Sequence, residues 1–133
     1  MSAMAPVRGF TGWLGTVLGT PHPVKLGRFY QGLLGGQLDE GDPAFVTLLV
    51  RPADTTNLAF QLEPDHTPPT WPTPGAGEQQ MQVHLDVGVS SVAEAVADAE
   101  TLGARLADFQ PQDDVRVMLD PAGHPFCLYL DSD

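Results

Sequence analysis

The chain has 133 residues and carries 6 basic against 17 acidic side chains, a net charge of −11. That length suits one domain, or two small halves sharing a core, and the charge repels nucleic-acid phosphates and anionic lipid while attracting cations. A hydrophobic content of 42% with 17% charged residues argues against disorder. The single cysteine, Cys127, excludes an internal disulfide, and no apolar run reaches the length of a signal peptide or a membrane span. The expectation is a cytoplasmic protein with no nucleic-acid or membrane partner.

In chain order, Trp13–Leu18 has strand composition. Pro21-His22-Pro23 opens a helix, with Pro23 suited to the first helical position and His22 to the cap. Leu26, Phe29, Tyr30, Leu33 and Leu34 recur at helical spacing. Gly27 and Gly32 weaken that helix by about 1 kcal/mol each relative to alanine, and Gly35-Gly36 ends it. Ala44–Arg51 and Asn57–Leu62 read as strands around a turn at Pro52-Ala53-Asp54. The stretch from Pro64 to Gly75 is too rich in proline for helix or inner strand, so 63–80 reads as an extended linker. In it Trp71 is expected to pack on a neighbouring surface or line a pocket, and His66 to be exposed.

The second half repeats the order. Met81–Val89 alternates, with Gln82, His84 and Asp86 on the polar side, and reads as a strand. Ser91-Val92-Ala93-Glu94 is a capping box, Val92, Val96, Ala99 and Leu102 form a buried stripe, and Gly103 ends the helix. Val115–Leu119 and Pro125–Leu130 are strands joined by Asp120-Pro121-Ala122-Gly123. Leu34–Leu38 matches Leu102–Leu106, Val46-Thr47-Leu48 matches Val115-Arg116-Val117, and Phe60-Gln61-Leu62 matches Phe126-Cys127-Leu128, at offsets of about 66 to 69 residues. The expected architecture is α+β: one domain over 1–133 made of two βαβββ modules, 12–62 and 81–130, paired around a cupped mixed sheet.

Three segments carry a family resemblance. Phe29-Tyr30-Gln31-Gly32-Leu33-Leu34-Gly35 resembles the helix end of the vicinal-oxygen-chelate superfamily, which contains glyoxalase I, extradiol dioxygenases and bleomycin-resistance proteins. Leu119-Asp120-Pro121-Ala122-Gly123-His124-Pro125-Phe126 resembles the turn into its last strand, and Trp71-Pro72 through Gln79-Gln80-Met81 with His84-Leu85-Asp86 is similar to its glyoxalase-like subgroup. The resemblance implies the paired-module fold, a tendency to homodimers, and four strand positions that hold one divalent ion in the metalloenzymes. Those positions fall on Gly15, Gln61, His84 and Cys127, the last where a glutamate is usual. The internal alignment pairs Gly15 with His84 and Gln61 with Cys127.

The four identities point away from a full metal site. Glycine has no donor, glutamine is a weak neutral ligand, and a lone imidazole with a soft thiol does not make the hard set a glyoxalase or dioxygenase uses. No cofactor is expected, with a divalent metal as the lesser alternative. His84 is the candidate general base, and Asp86, on the same side, its orienting group or a contact for a cationic ligand. Gln61, Phe45, Trp71 and Cys127 are the remaining candidate ligand contacts; Cys127 otherwise behaves as a small hydrophobe, and His124 as a turn residue. Two functional expectations follow: a protein that binds a small organic molecule, cationic by the charge argument, or a lyase, isomerase or dioxygenase acting on a carbonyl or aromatic substrate.

Overall fold

The computed structural model describes residues 1–51 and 57–131, so the expected turn at Pro52-Ala53-Asp54 lies outside the described residues. Each half is a βαβββ module. The first comprises β1 (Gly15–Thr20), α1 (Pro23–Leu34), β2 (Gln37–Asp39), β3 (Phe45–Leu49) and β4 (Asn57–Leu62). The second comprises β5 (Leu85–Val89), α2 (Val92–Leu102), β6 (Arg105–Leu106), β7 (Val115–Leu119) and β8 (Pro125–Leu130). Each forms a four-stranded mixed sheet, ordered β1-β4-β3-β2 and β5-β8-β7-β6, with one parallel pair, β1 with β4 and β5 with β8. The α+β class and the paired modules are those expected, with the sheet divided into two. No described helix is long and apolar enough to cross a membrane.

Local chemistry explains the boundaries. Pro23 occupies the first turn of α1, where its missing N–H costs nothing. His22 is at the cap position, but its side chain makes no cap bond; its backbone N–H donates to Thr20 Oγ1 at 3.0 Å instead. Ser91 Oγ accepts from the Glu94 N–H at 3.3 Å, and Gly103 closes α2 at φ 116°. The expected strand Met81–Val89 shortens to β5, because residues 81–84 pair with no neighbouring strand.

One core serves both modules. Leu18, Val46, Leu48, Leu58 and Phe60 from the first sheet and Met118, Phe126 and Leu128 from the second are buried in a single cluster with Leu26, Phe29, Tyr30 and Ala99 of the helices. The Tyr30 ring stacks on Phe60 at 5.6 Å and meets Phe126 edge-on at 6.1 Å, so one side chain of α1 bridges β4 and β8. The glycines of α1 allow this approach. A Cβ on Gly27 would come within 2.9 Å of Val46, and one on Gly32 within 2.7 Å of Leu102 in α2. The lower helix propensity is exchanged for close packing against β3 and α2. The sheet faces opposite this core carry the candidate residues.

The strand registers also correct two internal matches. Leu18 lies opposite Phe60 and Leu85 opposite Phe126. With Phe60 and Phe126 equivalent, His84 takes the place of Val17, not of Gly15. Val46 lies opposite Phe60 and Met118 opposite Phe126, so the counterpart of Val46 is Met118, not Val115. The connection before β7, residues 107–114, is longer than the one before β3, residues 40–44. An ungapped match cannot register that insertion; the hydrogen-bonded ladder does.

Candidate functional site

On the first sheet, alternation places Gly15, Val17 and Gly19 of β1, Asn57, Ala59 and Gln61 of β4, and Phe45, Thr47 and Leu49 of β3 on the face away from the core. A hollow of about 700 Å³ lies against this face. Its walls include Gly15, Val17, Phe45, Asn57 and Ala59, with Trp13 and Leu14 leading into β1. Val17, Phe45, Trp13 and Leu14 are all exposed apolar side chains. Gln61 shares the face, opposite Phe45, and donates through Nε2 to Glu63 Oε1 at 2.9 Å.

On the second sheet, the ligand atoms of His84, Asp86 and Cys127 lie within 4.8 Å of one another. The parallel register sets Asp86 directly beside Cys127, and His84 Nε2 lies 3.1 Å from Asp86 Oδ1. His84 immediately precedes β5 rather than lying within it. Both His84 and Asp86 are exposed and Cys127 is half-buried. Burial pushes the Cys127 thiol up, and the adjacent Asp86 carboxylate pushes it further by charge and hydrogen bonding. This disfavours the thiolate that nucleophilic chemistry needs.

The expected site residues thus fall into two groups. The structure brings His84, Asp86 and Cys127 together on the second sheet, and Gly15 and Phe45 together in the hollow of the first, with Gln61 on that same face. Trp71 is placed elsewhere: its indole N–H donates to the Phe109 carbonyl at 3.1 Å, tying the linker to the segment after β6. The donor set of His84, Asp86 and Cys127 is an imidazole, a carboxylate and a soft thiol, a mixed set that suits zinc better than the metals of all-oxygen sites, with three donors where the resemblance implies four positions.

Sequence reasoning missed three features. Asn57 is 7% exposed, lines the hollow, and has neither amide atom hydrogen-bonded among the described residues. Nothing in its sequence context marks it; only the β1–β4 register puts it on the free face. Tyr30 and Asp120 form a buried pair, the phenol donating to Asp120 Oδ2 at 2.6 Å. Burial pushes both groups up, and the Asp120 charge adds to the effect on Tyr30. Asp120 also accepts from the N–H groups of Ala122 and His124, so this turn is a structural lock between the halves. His66, expected to be exposed, is half-buried instead and donates through Nε2 to the Ala122 carbonyl at 2.9 Å. His124 Nε2 does the same to the Gly19 carbonyl at 2.7 Å, and the two rings lie 5.0 Å apart. Together they pin the linker and β1 to the β7–β8 turn.

A further depression, about 1030 Å³, lies between the start of α1 and the end of α2. It is a shallow groove whose Arg28 is already engaged by Glu40 at 2.7 Å.

Paired βαβββ modules with a shared helical core and open sheet faces define a glyoxalase-like architecture, and the comparisons agree. The family model described as "Glyoxalase-like domain" matches residues 15–129, so the chain belongs to the glyoxalase-like domain family. Among solved structures it is similar to a glyoxalase-related enzyme from Fulvimarina pelagi, with 17% identity over 92% of this chain and 89% of that one, and a TM-score of 0.64. It is similar to the fosfomycin resistance protein FosX from Listeria monocytogenes, with 12% identity over 92% and 93%, and a TM-score of 0.63. A glyoxalase/bleomycin resistance protein/dioxygenase family enzyme from Burkholderia phytofirmans PsJN gives 20% identity over 86% and 94%, and a TM-score of 0.61. At these identities the likeness is one of fold. No curated protein matches the chain at a significant level.

Proposed function

We propose that this glyoxalase-like domain binds a small organic molecule against the free face of its first sheet, without relying on a complete metal centre. The observation that carries this reading is the 700 Å³ hollow walled by Val17, Phe45, Trp13 and Leu14. Its volume and apolar lining are those of sites that bury most of a small ligand. A second copy of the chain covers the open faces in this proposal, because contiguous exposed apolar side chains mark an interaction surface. Light scattering over a concentration series then gives twice the monomer mass; a monomer at all concentrations removes the dimer and leaves the binding reading intact.

A thermal-shift screen of small organic molecules tests the binding, since a ligand selective for the folded state raises the melting temperature. Val17→Glu places a charge in the hollow at a position already 51% exposed, so the variant folds and loses the shift. A library in which nothing shifts the wild-type protein more than this variant refutes the proposal.

One observation favours a second reading, the enzymatic one. His84 within 3.1 Å of Asp86 is a general base with an orienting carboxylate. If the chain turns over a carbonyl or aromatic substrate, His84→Ala lowers kcat by roughly 10²–10⁴-fold. A variant with unchanged kcat removes His84 from that chemistry.

A further inference from the structure

The hollow contains one polar group that its fold does not satisfy. Asn57 begins β4, is 7% exposed, and neither its amide nitrogen nor its amide oxygen has a hydrogen-bond partner among the described residues. A buried amide without partners costs free energy, and native chains retain few such groups without a reason. Its position supplies one. Asn57 lies beside Gly15 in the parallel ladder and opposite Leu49 across β3, and it lines the hollow with Val17, Phe45 and Ala59. None of the described wall residues is charged.

We infer that Asn57 is the specificity-determining residue of this hollow, and that the ligand is an uncharged, largely apolar molecule bearing a carboxamide, lactam or imide group. This rests on the binding reading above and narrows it. An asparagine side chain presents an acceptor and a donor side by side, and only a group that also presents both satisfies the pair. A carboxylate offers acceptors alone and would leave the Asn57 carbonyl oxygen unpaired. An ammonium offers donors alone and would leave the NH₂ unpaired. Either ion would also lose its hydration against apolar walls with no counter-charge. The acidic surface therefore does not dictate a cationic ligand: the net charge of −11 is spread over the chain, whereas the described walls of the hollow are neutral.

Access is the remaining requirement, because water does not reach the Asn57 amide atoms. The Trp13 indole lies against Gly15, with its Nε1 3.5 Å from where a Cβ would stand on that glycine. The ring therefore stands over the residue that pairs with Asn57 in the ladder. Trp13 is 60% exposed and precedes β1, so displacing it disrupts little packing. In this inference Trp13 is the cover that a ligand moves aside, which makes its fluorescence the reporter.

The test uses the full chain in a Trp71→Phe background, leaving Trp13 as the sole tryptophan. The probes are naphthamide, naphthoate, naphthylmethylammonium and naphthalene, titrated by Trp13 emission and by thermal shift. The expected result is that naphthamide binds roughly tenfold more tightly than the two ions, as one satisfied buried hydrogen-bonded pair provides, and that Asn57→Leu abolishes this preference. That variant is also expected to hold or raise the melting temperature, because it removes an unpaired buried amide. The preference among the probes is read on the wild-type pocket, so the inference is tested even if the variant fails to fold. Equal binding of naphthamide and either ion overturns it, as does undiminished amide preference in Asn57→Leu. If the naphthalene series binds without discriminating head groups, ligand binding stands and amide recognition falls. If no probe binds and the broader screen is also silent, both readings fall.

Discussion

The two modules share a backbone plan and differ most where their sheets turn away from the core. On the inner faces, Phe60 and Phe126 occupy equivalent places and meet the same Tyr30 ring. On the outer faces, Val17 stands where the second half has His84, Gly19 where it has Asp86, and Gln61 where it has Cys127. Among the described residues, one face is an apolar hollow with a single unsatisfied amide; the other is a polar cluster of imidazole, carboxylate and thiol. Side chains alternate across a strand, so the face that must be buried can keep its chemistry while the other changes freely.

That contrast can be broken most forcefully at the inner face. Phe126→Ala is expected to destabilise the chain by about 3–5 kcal/mol. Because the core is common to both modules, urea denaturation should remain a single transition. Two separated transitions would mean that the halves do not share a core. Tyr30→Phe is next, at about 1–3 kcal/mol, since it leaves Asp120 buried with one donor fewer. It also carries a pH signature. The Tyr30 phenol is held well above its usual value near 10, so above that pH the unfolded chain loses a proton that the folded chain keeps. Its contribution to stability is complete below pH 10 and is lost as pH rises through the folded value. Denaturation across pH 9–11 should show a steeper loss for wild type than for Tyr30→Phe; equal slopes would place the effect elsewhere.

The outer faces should respond in chemistry more than in stability. Cys127 is expected to alkylate slowly at neutral pH. Asp86→Asn, by removing the adjacent carboxylate, lowers the thiol pKa and speeds iodoacetamide labelling by about two- to tenfold at pH 8. An unchanged rate would dissociate Asp86 from Cys127. Smallest of all is Gly15→Ala. Its Cβ meets Trp13 at ordinary contact distances, 3.5–3.8 Å, so melting should show a change within about 0.5 kcal/mol. A larger loss would show that the outer face of the first sheet is packed more tightly than an open hollow allows.

Much of this molecule was legible in one dimension, because the signals involved are local. Pro23 and Gly35 bracket α1, Ser91 and Gly103 bracket α2, and Asn57–Leu62, Val115–Leu119 and Pro125–Leu130 end where their composition ends. The period of apolar residues marked the core stripe that includes Leu26, Phe29 and Tyr30, and alternation grouped His84 with Asp86. Only the tertiary structure could match Val17 with His84 and Val46 with Met118, since register depends on loop lengths and ladder hydrogen bonds that matching short strings cannot weigh. Likewise, Asn57, Asp120 and His66 are ordinary polar letters until burial is known. Whether such a group is paired, locked between halves or left waiting for a partner is decided by neighbours distant in the chain, and desolvation then sets what that state costs.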